Sequence, residues 1–160
     1  MRGVSLDTFA ETNPAFCALL LSAYVSAFQD VQKRPLPITL LPLVLPIVMS
    51  GELDSSFLHT SDGTGLAKWI SKTPGVLFNL PERIQASLAM TRESLQFALQ
   101  YQVLSLDDEA QISDLIPSVA TKRLKKLGFE RMGNNAHRLG AWFGALASDA
   151  VAYNLLGLEV

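Results

Sequence analysis

The chain has 160 residues, 49% of them hydrophobic and only 18% charged, so it is long enough for one compact domain and too apolar to be intrinsically disordered. Its net charge of −2 and its pI of about 5.6 argue against a protein that binds nucleic acid or an anionic membrane through overall charge. Soluble domains usually carry about 25% charged residues, and the deficit here indicates a surface partly covered by another chain.

The cysteine content and the N-terminal residues indicate the cellular compartment. Cys17 is the only cysteine and lies in an apolar run, so neither an internal disulfide nor a Cys-based zinc site can form. The first 13 residues include Asp7 and Glu11 and lack the basic, apolar and cleavage regions of a signal peptide. We therefore expect a cytoplasmic protein.

The first predicted helix begins at Asn13-Pro14. The Asn side chain can cap free backbone amides there, and Pro occupies a position that needs no donor. Apolar residues then recur at three- and four-residue steps as far as about Val31. They are Phe16, Leu19, Leu20, Ala23, Ala27 and Phe28. The pattern predicts an amphipathic helix whose alanine-rich side allows a neighbour to come close.

Residues Pro35 to Ser50 form an uncharged run of 16 residues that contains four prolines. A helix needs about 20 apolar residues to span a bilayer, and each interior proline removes a backbone donor. We expect a buried, kinked core or interface helix here rather than a transmembrane span, with Pro37 in its first turn.

Three shorter helices are predicted in the middle of the chain. Thr64 can cap the first, in which Leu66, Trp69 and Ile70 form one stripe. The second runs from Pro81 to Ala89. Thr91 can cap the third, in which apolar residues again share one face.

Two short apolar strands within residues 103–113 flank the polar sequence Asp107-Asp108-Glu109, which indicates a β-hairpin. Two helices, a tight turn and then a hairpin is the order found in winged helix-turn-helix domains. The expected fold is therefore mainly α: a compact helical domain with a small winged-helix-like hairpin near residues 103–113.

The composition changes after Pro117. Residues 1–116 carry a net charge of −5 and residues 117–160 a net charge of +3. We expect residues 1–116 to form the core and residues 117–160 to form a basic segment and C-terminal helices packed on the same domain. The basic cluster consists of Lys122, Arg123, Lys125, Lys126 and Arg131. It could contact DNA, contact an acidic protein surface, or form a solvated face, and the acidic hairpin would repel a DNA backbone.

Another helix is predicted from His137 to Ala147, with an apolar stripe that includes Trp142 and Phe143. Gly140 and Gly144, four residues apart, would let a second helix approach closely. Asp149 can cap a last helix that ends before Gly157.

Residue patterns that carry catalysis are missing from the sequence. Gly63 to Lys68 lacks the glycine spacing of a phosphate-binding loop, and His59 and His137 are too far apart in sequence for a paired zinc motif. The three consecutive acids at residues 107–109 favour a solvated turn over a calcium loop. We therefore predict no catalytic residue, no cofactor and no metal site.

Three stretches together resemble a known family: Glu11 to Cys17, the Leu-Pro-rich run Leu36 to Met49, and Thr91 to Leu99. With Trp142-Phe143 and the closing Tyr153 to Gly157, they resemble the middle component of bacterial three-component ABC systems. The C subunit of Lamassu-type systems is the closest named example.

This resemblance implies a non-catalytic adaptor that bridges an SMC- or Rad50-like ABC ATPase and an effector, often a nuclease, in defence against phage or plasmids. Any contact with DNA would be made mainly through the complex, and no membrane is expected as a partner. Interfaces favour aromatic anchors, and the candidates are Trp69, Trp142, Phe143 and Tyr153. The alternatives are a free-standing winged-helix DNA-binding regulator and an enzyme without a recognisable motif.

Overall fold

The computed structural model describes residues 13–159, and the prediction about a signal peptide falls on residues outside this range. Within it the chain folds into eight α-helices and a small sheet. The helices are α1 Pro14–Gln32, α2 Val44–Val48, α3 Gly51–Asp54, α4 Leu66–Lys72, α5 Leu80–Gln100, α6 Val119–Lys126, α7 Glu130–Gly144 and α8 Asp149–Leu155. The strands are β1 Leu36–Pro37, β2 Leu104–Leu106 and β3 Gln111–Asp114. The predicted mainly α fold with a small hairpin is confirmed.

Helix α1 lies at the centre of the domain. Asn13 caps it as expected, since its Oδ1 accepts a hydrogen bond of 3.1 Å from the Phe16 amide, and Pro14 follows at the first helical position. The helix packs against α5, α6, α7 and β3, and most of its side chains are buried. Because neighbours cover several of its sides, α1 is apolar over much more than one stripe.

Helix α7 crosses α1 at very short range because of its glycines. A Cβ at Gly140 would lie 2.1 Å from the backbone oxygen of Tyr24, and one at Gly144 would lie 2.9 Å from that of Phe28. The close approach predicted from these two glycines is confirmed. The Gln32 side-chain amide also donates to the Gly144 oxygen at 3.0 Å, which fastens the end of α1 to the end of α7.

The proline-rich segment is buried, as predicted, but it is not one kinked helix. It starts as β1, continues as a 3-10 helix over Ile38–Leu43, and becomes α2. Pro37 lies directly before the 3-10 helix and Pro42 lies inside it. Four prolines remove the amide donors that a continuous α-helix needs, so the chain uses shorter elements here.

One described helix, α1, is long and apolar enough to cross a membrane, and the bent pair Ile38–Val48 and Gly51–Phe57 passes the same test of length and composition. The other helices within residues 13–159 do not pass it. Within the chain, 61% of the apolar window of α1 is buried, as in the core helix of a soluble protein.

Helix α5 is a single helix of 21 residues, so the prediction of two helices in this region is wrong. Thr91 lies in its interior and does not cap a helix start. From Glu82 to Gln100 the sequence contains neither Gly nor Pro, and nothing local therefore ends the helix. The pair of short helices expected before the hairpin is not formed, and the winged-helix likeness stays a prediction.

The sheet has the antiparallel order β1-β3-β2. Leu36 of β1 and Leu106 of β2 both lie opposite Ile112, the buried residue of the central strand. The hairpin is confirmed, whereas pairing with β1 was not predicted. At its tip, Asp107 Oδ1 accepts hydrogen bonds from the Glu109 and Gln111 amides. The acidic residues therefore build the turn.

Two predicted caps are wrong, although their helices are confirmed. Gly65 occupies the position before α4, while the Thr64 hydroxyl accepts a hydrogen bond from the Ser61 amide. The Ser148 hydroxyl, not the Asp149 carboxylate, accepts from the Val151 amide at the start of α8. In both cases the capping position is one residue away from the predicted one.

Candidate partner-binding surface

Three of the four predicted aromatic anchors are core residues. Trp69, Trp142 and Phe143 are 1% exposed or less. Trp142 stacks on Phe57 at 5.7 Å between ring centroids, and the Trp69 ring is 5.3 Å from that of Trp142. The Trp142 indole donates to the backbone oxygen of Ser61 at 2.8 Å. Packing among themselves removes these rings from the surface, so they offer no contact area to a partner.

The fourth aromatic, Tyr153, is half-buried and attaches α8 to the proline-rich segment. Its hydroxyl donates to the backbone oxygen of Thr39, and the Thr39 hydroxyl donates to the Asp149 carboxylate at 3.1 Å. Burial raises the pKa of Tyr153, and the charge of Asp149 raises it further. The phenol is thus a fixed hydrogen-bond donor between two elements.

The predicted basic cluster divides into two kinds of cation. Lys125 pairs with Glu130 at 3.4 Å. Arg131, on α7, pairs with Asp54 at 2.7 Å. The other three are Lys122, Arg123 and Lys126, and none of them forms an ion pair with any residue from 13 to 159. Three positive charges of helix α6 therefore remain available to a partner.

Helix α6 presents these charges because its opposite side is anchored. Ala120 and Leu124 are buried against α1 and α7. In a helix, positions three or four apart lie on one face, so Val119, Arg123 and Leu127 form a second line along the helix. That line borders a depression in the surface.

This depression, the α6 groove, is apolar and has a volume of about 860 Å³. Four parts of the chain contribute to it: the start of α1, the end of α5, the base of the hairpin, and α6 with the loop after it. The lining residues are Asn13, Ala15, Phe16, Leu19, Phe97, Val103, Ile116, Val119, Arg123, Leu127 and Phe129. Arg123 is the one charged residue among them.

Two aromatic contacts involve residues that line the groove. Phe16 and Phe129 meet edge to face at 4.5 Å, which joins α1 to the loop between α6 and α7. Phe97 packs on the exposed ring of Tyr101, also at 4.5 Å. Leu127 remains 53% exposed at the rim. A contiguous apolar surface rimmed by polar groups is typical of a site for another protein.

One further depression shares a lining residue with the α6 groove, and a third is linked to that one. Phe129 also lines one of about 370 Å³ between α3 and the start of α7. That depression shares Met49 and Ser50 with a third, of about 520 Å³, between α2 and the first half of α5. We call the three depressions, linked through these shared residues, the docking face.

Residues 13–159 contain no group of three or more His, Cys, Asp or Glu side chains that could hold a metal ion. A small polar cavity of about 80 Å³ is lined in part by Asp30, Asp114 and His137. There Asp114 accepts a 2.7 Å hydrogen bond from the Ser22 hydroxyl and links β3 to α1.

A family model described as ABC-three component (ABC-3C) system Middle Component 3 matches residues 8–160. The chain belongs to this family. The predicted family resemblance is thereby confirmed, whereas the Lamassu-type C subunit as its nearest example stays a prediction. No curated protein and no solved structure gives a significant match.

In this middle component, the predicted basic cluster and the α6 groove lie side by side, which the sequence alone did not reveal. Most of the groove residues had been predicted as helix faces or had no prediction. The available signal was the four-residue step of Val119, Arg123 and Leu127, where apolar and basic residues alternate. Phe16 belongs to the apolar pattern that predicts α1, but its place in a groove with Phe97 depends on tertiary packing, which no local pattern shows.

Proposed function

We propose that this middle component is a cytoplasmic, non-catalytic adaptor that links an SMC- or Rad50-like ABC ATPase to an effector in a complex that defends bacteria against phage or plasmids. Membership in a three-component family supports a role as one subunit among several.

The observation that carries this proposal is the docking face. It combines an apolar depression of about 860 Å³ with three cations that have no partner among the described residues. Such a surface is costly to leave in water, because apolar area is most stable when covered. Stable interfaces bury about 800 Å² on each partner, so a partner that binds here would also cover surface around the three depressions.

Co-expression tests the proposal. The tagged chain is produced together with the two other components encoded beside it, then purified and analysed by light scattering. We expect both components to copurify in a fixed ratio. Recovery of the chain alone, as a stable monomer, while the other two components are soluble, would contradict the adaptor role.

The second candidate is a free-standing DNA-binding regulator, favoured by the three unpaired cations on one face of α6. The acidic hairpin tip and the single long helix α5 count against it. Titration of duplex DNA at increasing salt separates the two. If the cations meet phosphates, replacing Lys122, Arg123, Lys125 and Lys126 with Ala flattens the salt dependence. The adaptor proposal predicts weak binding that these replacements barely change.

A further inference from the structure

The α6 groove is long enough to bind about two turns of a helix. Val119 and Leu127 are eight residues apart, which corresponds to about 12 Å along α6 at 1.5 Å per residue. A docked helix places apolar anchors at positions i, i+3 or i+4, and i+7, so two turns of it cover about the same length. Aromatic and aliphatic side chains from four parts of the chain form the wall that would receive those anchors.

The charge along the groove is one-sided. Arg123 lies in the lining, and Lys122 and Lys126, four residues apart, lie next to it on the outer edge of α6. No acidic residue is among the lining residues. An occupant whose flank carries Asp or Glu would neutralise all three cations, whereas a basic occupant would be repelled.

The chemistry of the wall favours a protein segment over nucleic acid. Among the lining residues, only Arg123 and Asn13 offer polar side chains, and the remainder are aliphatic or Phe. A phosphate backbone laid along such a wall would lose its hydration and gain few hydrogen bonds in return. An amphipathic helix loses nothing comparable, because its backbone groups are already paired.

We propose that the α6 groove binds an amphipathic helical segment of one of the other two components, with its apolar face against the wall and an acidic flank against Lys122, Arg123 and Lys126. This inference rests on the proposed adaptor function and assigns it a specific site. The partner segment is recognised by its chemistry: apolar residues at helical spacing bordered by Asp or Glu.

The first arm of the test compares two exposed leucines within the assembled complex. Leu127 lies at the groove rim and is 53% exposed, whereas Leu58 is 54% exposed and does not line the groove. We expect Leu127→Asp to weaken association by at least about tenfold and Leu58→Asp to leave it within about twofold. Since both residues are exposed, both variants should unfold at nearly the wild-type temperature.

The second arm tests charge. Lys122→Glu combined with Lys126→Glu should weaken association and reverse its salt dependence, so that added salt strengthens the residual binding. Lys68→Glu, on helix α4 and outside the groove, is the matched control. An unchanged affinity in the double variant would overturn the charge assignment.

The third arm identifies the occupant. A photo-crosslinking residue at position 127 is activated in the complex, and the attached peptide is sequenced by mass spectrometry. We expect a segment of a partner component with the stated pattern. Attachment to DNA, to a second copy of this chain, to its own first twelve residues, or to a segment without acids would overturn the inference.

Failure of this inference differs from failure of the adaptor function. If the three components assemble and Leu127→Asp behaves like Leu58→Asp, the docking site is wrong and the adaptor function stands. If the components do not assemble at all, the adaptor function is wrong and the inference falls with it.

Discussion

Gly140 is the residue on which the packing of α7 against α1 depends most directly. We expect Gly140→Ala to destabilise the chain by about 3 kcal/mol, because the added carbon would overlap the Tyr24 backbone oxygen, which cannot move without displacing α1. Urea unfolding of the variant and the wild type measures the difference.

Gly51 provides the control for that measurement. It also lies in a helix, but a Cβ there would meet no atom within 4 Å. Gly51→Ala should change the free energy of unfolding by less than about 1 kcal/mol, in the stabilising direction. Equal effects of the two substitutions would mean that α1 and α7 are not in close contact.

Asp114 links stability to pH. Burial raises the pKa of its carboxyl, hydrogen bonds from the Ser22 hydroxyl, the Ile116 amide and the Ser26 hydroxyl lower it, and the charge of Asp30 raises it. The net shift is upward, so the folded chain holds this proton more tightly than the unfolded chain. The protonated Asp114 carboxyl therefore stabilises the folded chain fully at pH values below its ordinary pKa of 3.8. This stabilisation is lost as pH rises through the raised pKa.

We expect Asp114→Asn to remove this pH dependence. The amide keeps an oxygen for the bond from Ser22 and cannot ionise. Relative to the wild type, the variant should gain stability as pH rises from the ordinary carboxyl range towards neutrality. Urea unfolding at a series of pH values measures the difference between the two chains. A difference that stays constant with pH would show that the carboxyl titrates alike in both states.

At the scale of elements, Thr91 distinguishes one long helix from two short ones. Its hydroxyl is buried in α5 without a hydrogen-bond partner among the described residues. Thr91→Val keeps the shape and removes that group, so we expect a gain of about 1 kcal/mol. If Thr91 capped a second helix, the same change would cost about 1 kcal/mol.

Thr60 is the matched control for this experiment. Its hydroxyl donates to the Phe57 oxygen at 2.6 Å and accepts from Arg138 at 3.1 Å. Thr60→Val should therefore destabilise the chain by about 1 to 2 kcal/mol. Thermal unfolding of both valine variants gives opposite signs if α5 is continuous.

The elements that were predictable carry their signals locally. Asn13-Pro14 marks the start of α1, the Gly140 and Gly144 spacing marks the contact face of α7, and the acids at residues 107–109 mark the hairpin turn. The sequence does not predict α5 as one helix, because Thr91 is a possible N-cap and suggests a second helix start. The lack of Gly and Pro from Glu82 to Gln100 is the signal that favours a single helix. Strand β1 was missed because its pairing with β3 spans about 75 residues of sequence.

The candidate site was only partly predictable for a related reason. Clustered Lys and Arg are visible in sequence, but ion pairing with Glu130 and Asp54 removes two of the five from the available charge. Three of the four predicted aromatic anchors lie in the core, because buried and interfacial aromatic residues have the same helical spacing in a sequence. The groove itself exists only once four separate parts of the chain are brought together.

At the scale of the whole molecule, apolar residues lie in two places, the core and the docking face. The aromatic cluster around Trp142 and the helix α1 complete the interior. The docking face keeps further apolar area outside, next to cations that lack partners within residues 13–159. On the proposed adaptor function, a partner that covers the face also stabilises the folded chain.

The most direct test of this account measures whether the middle component joins the other two. The two proposed partners, an ATPase and an effector, are purified and mixed with and without this chain, and their association is followed by size-exclusion chromatography with light scattering. We predict that they elute together only when the chain is present and that Leu127→Asp abolishes the joint peak. Association of the ATPase with the effector in the absence of this chain, unchanged on its addition, would contradict the account.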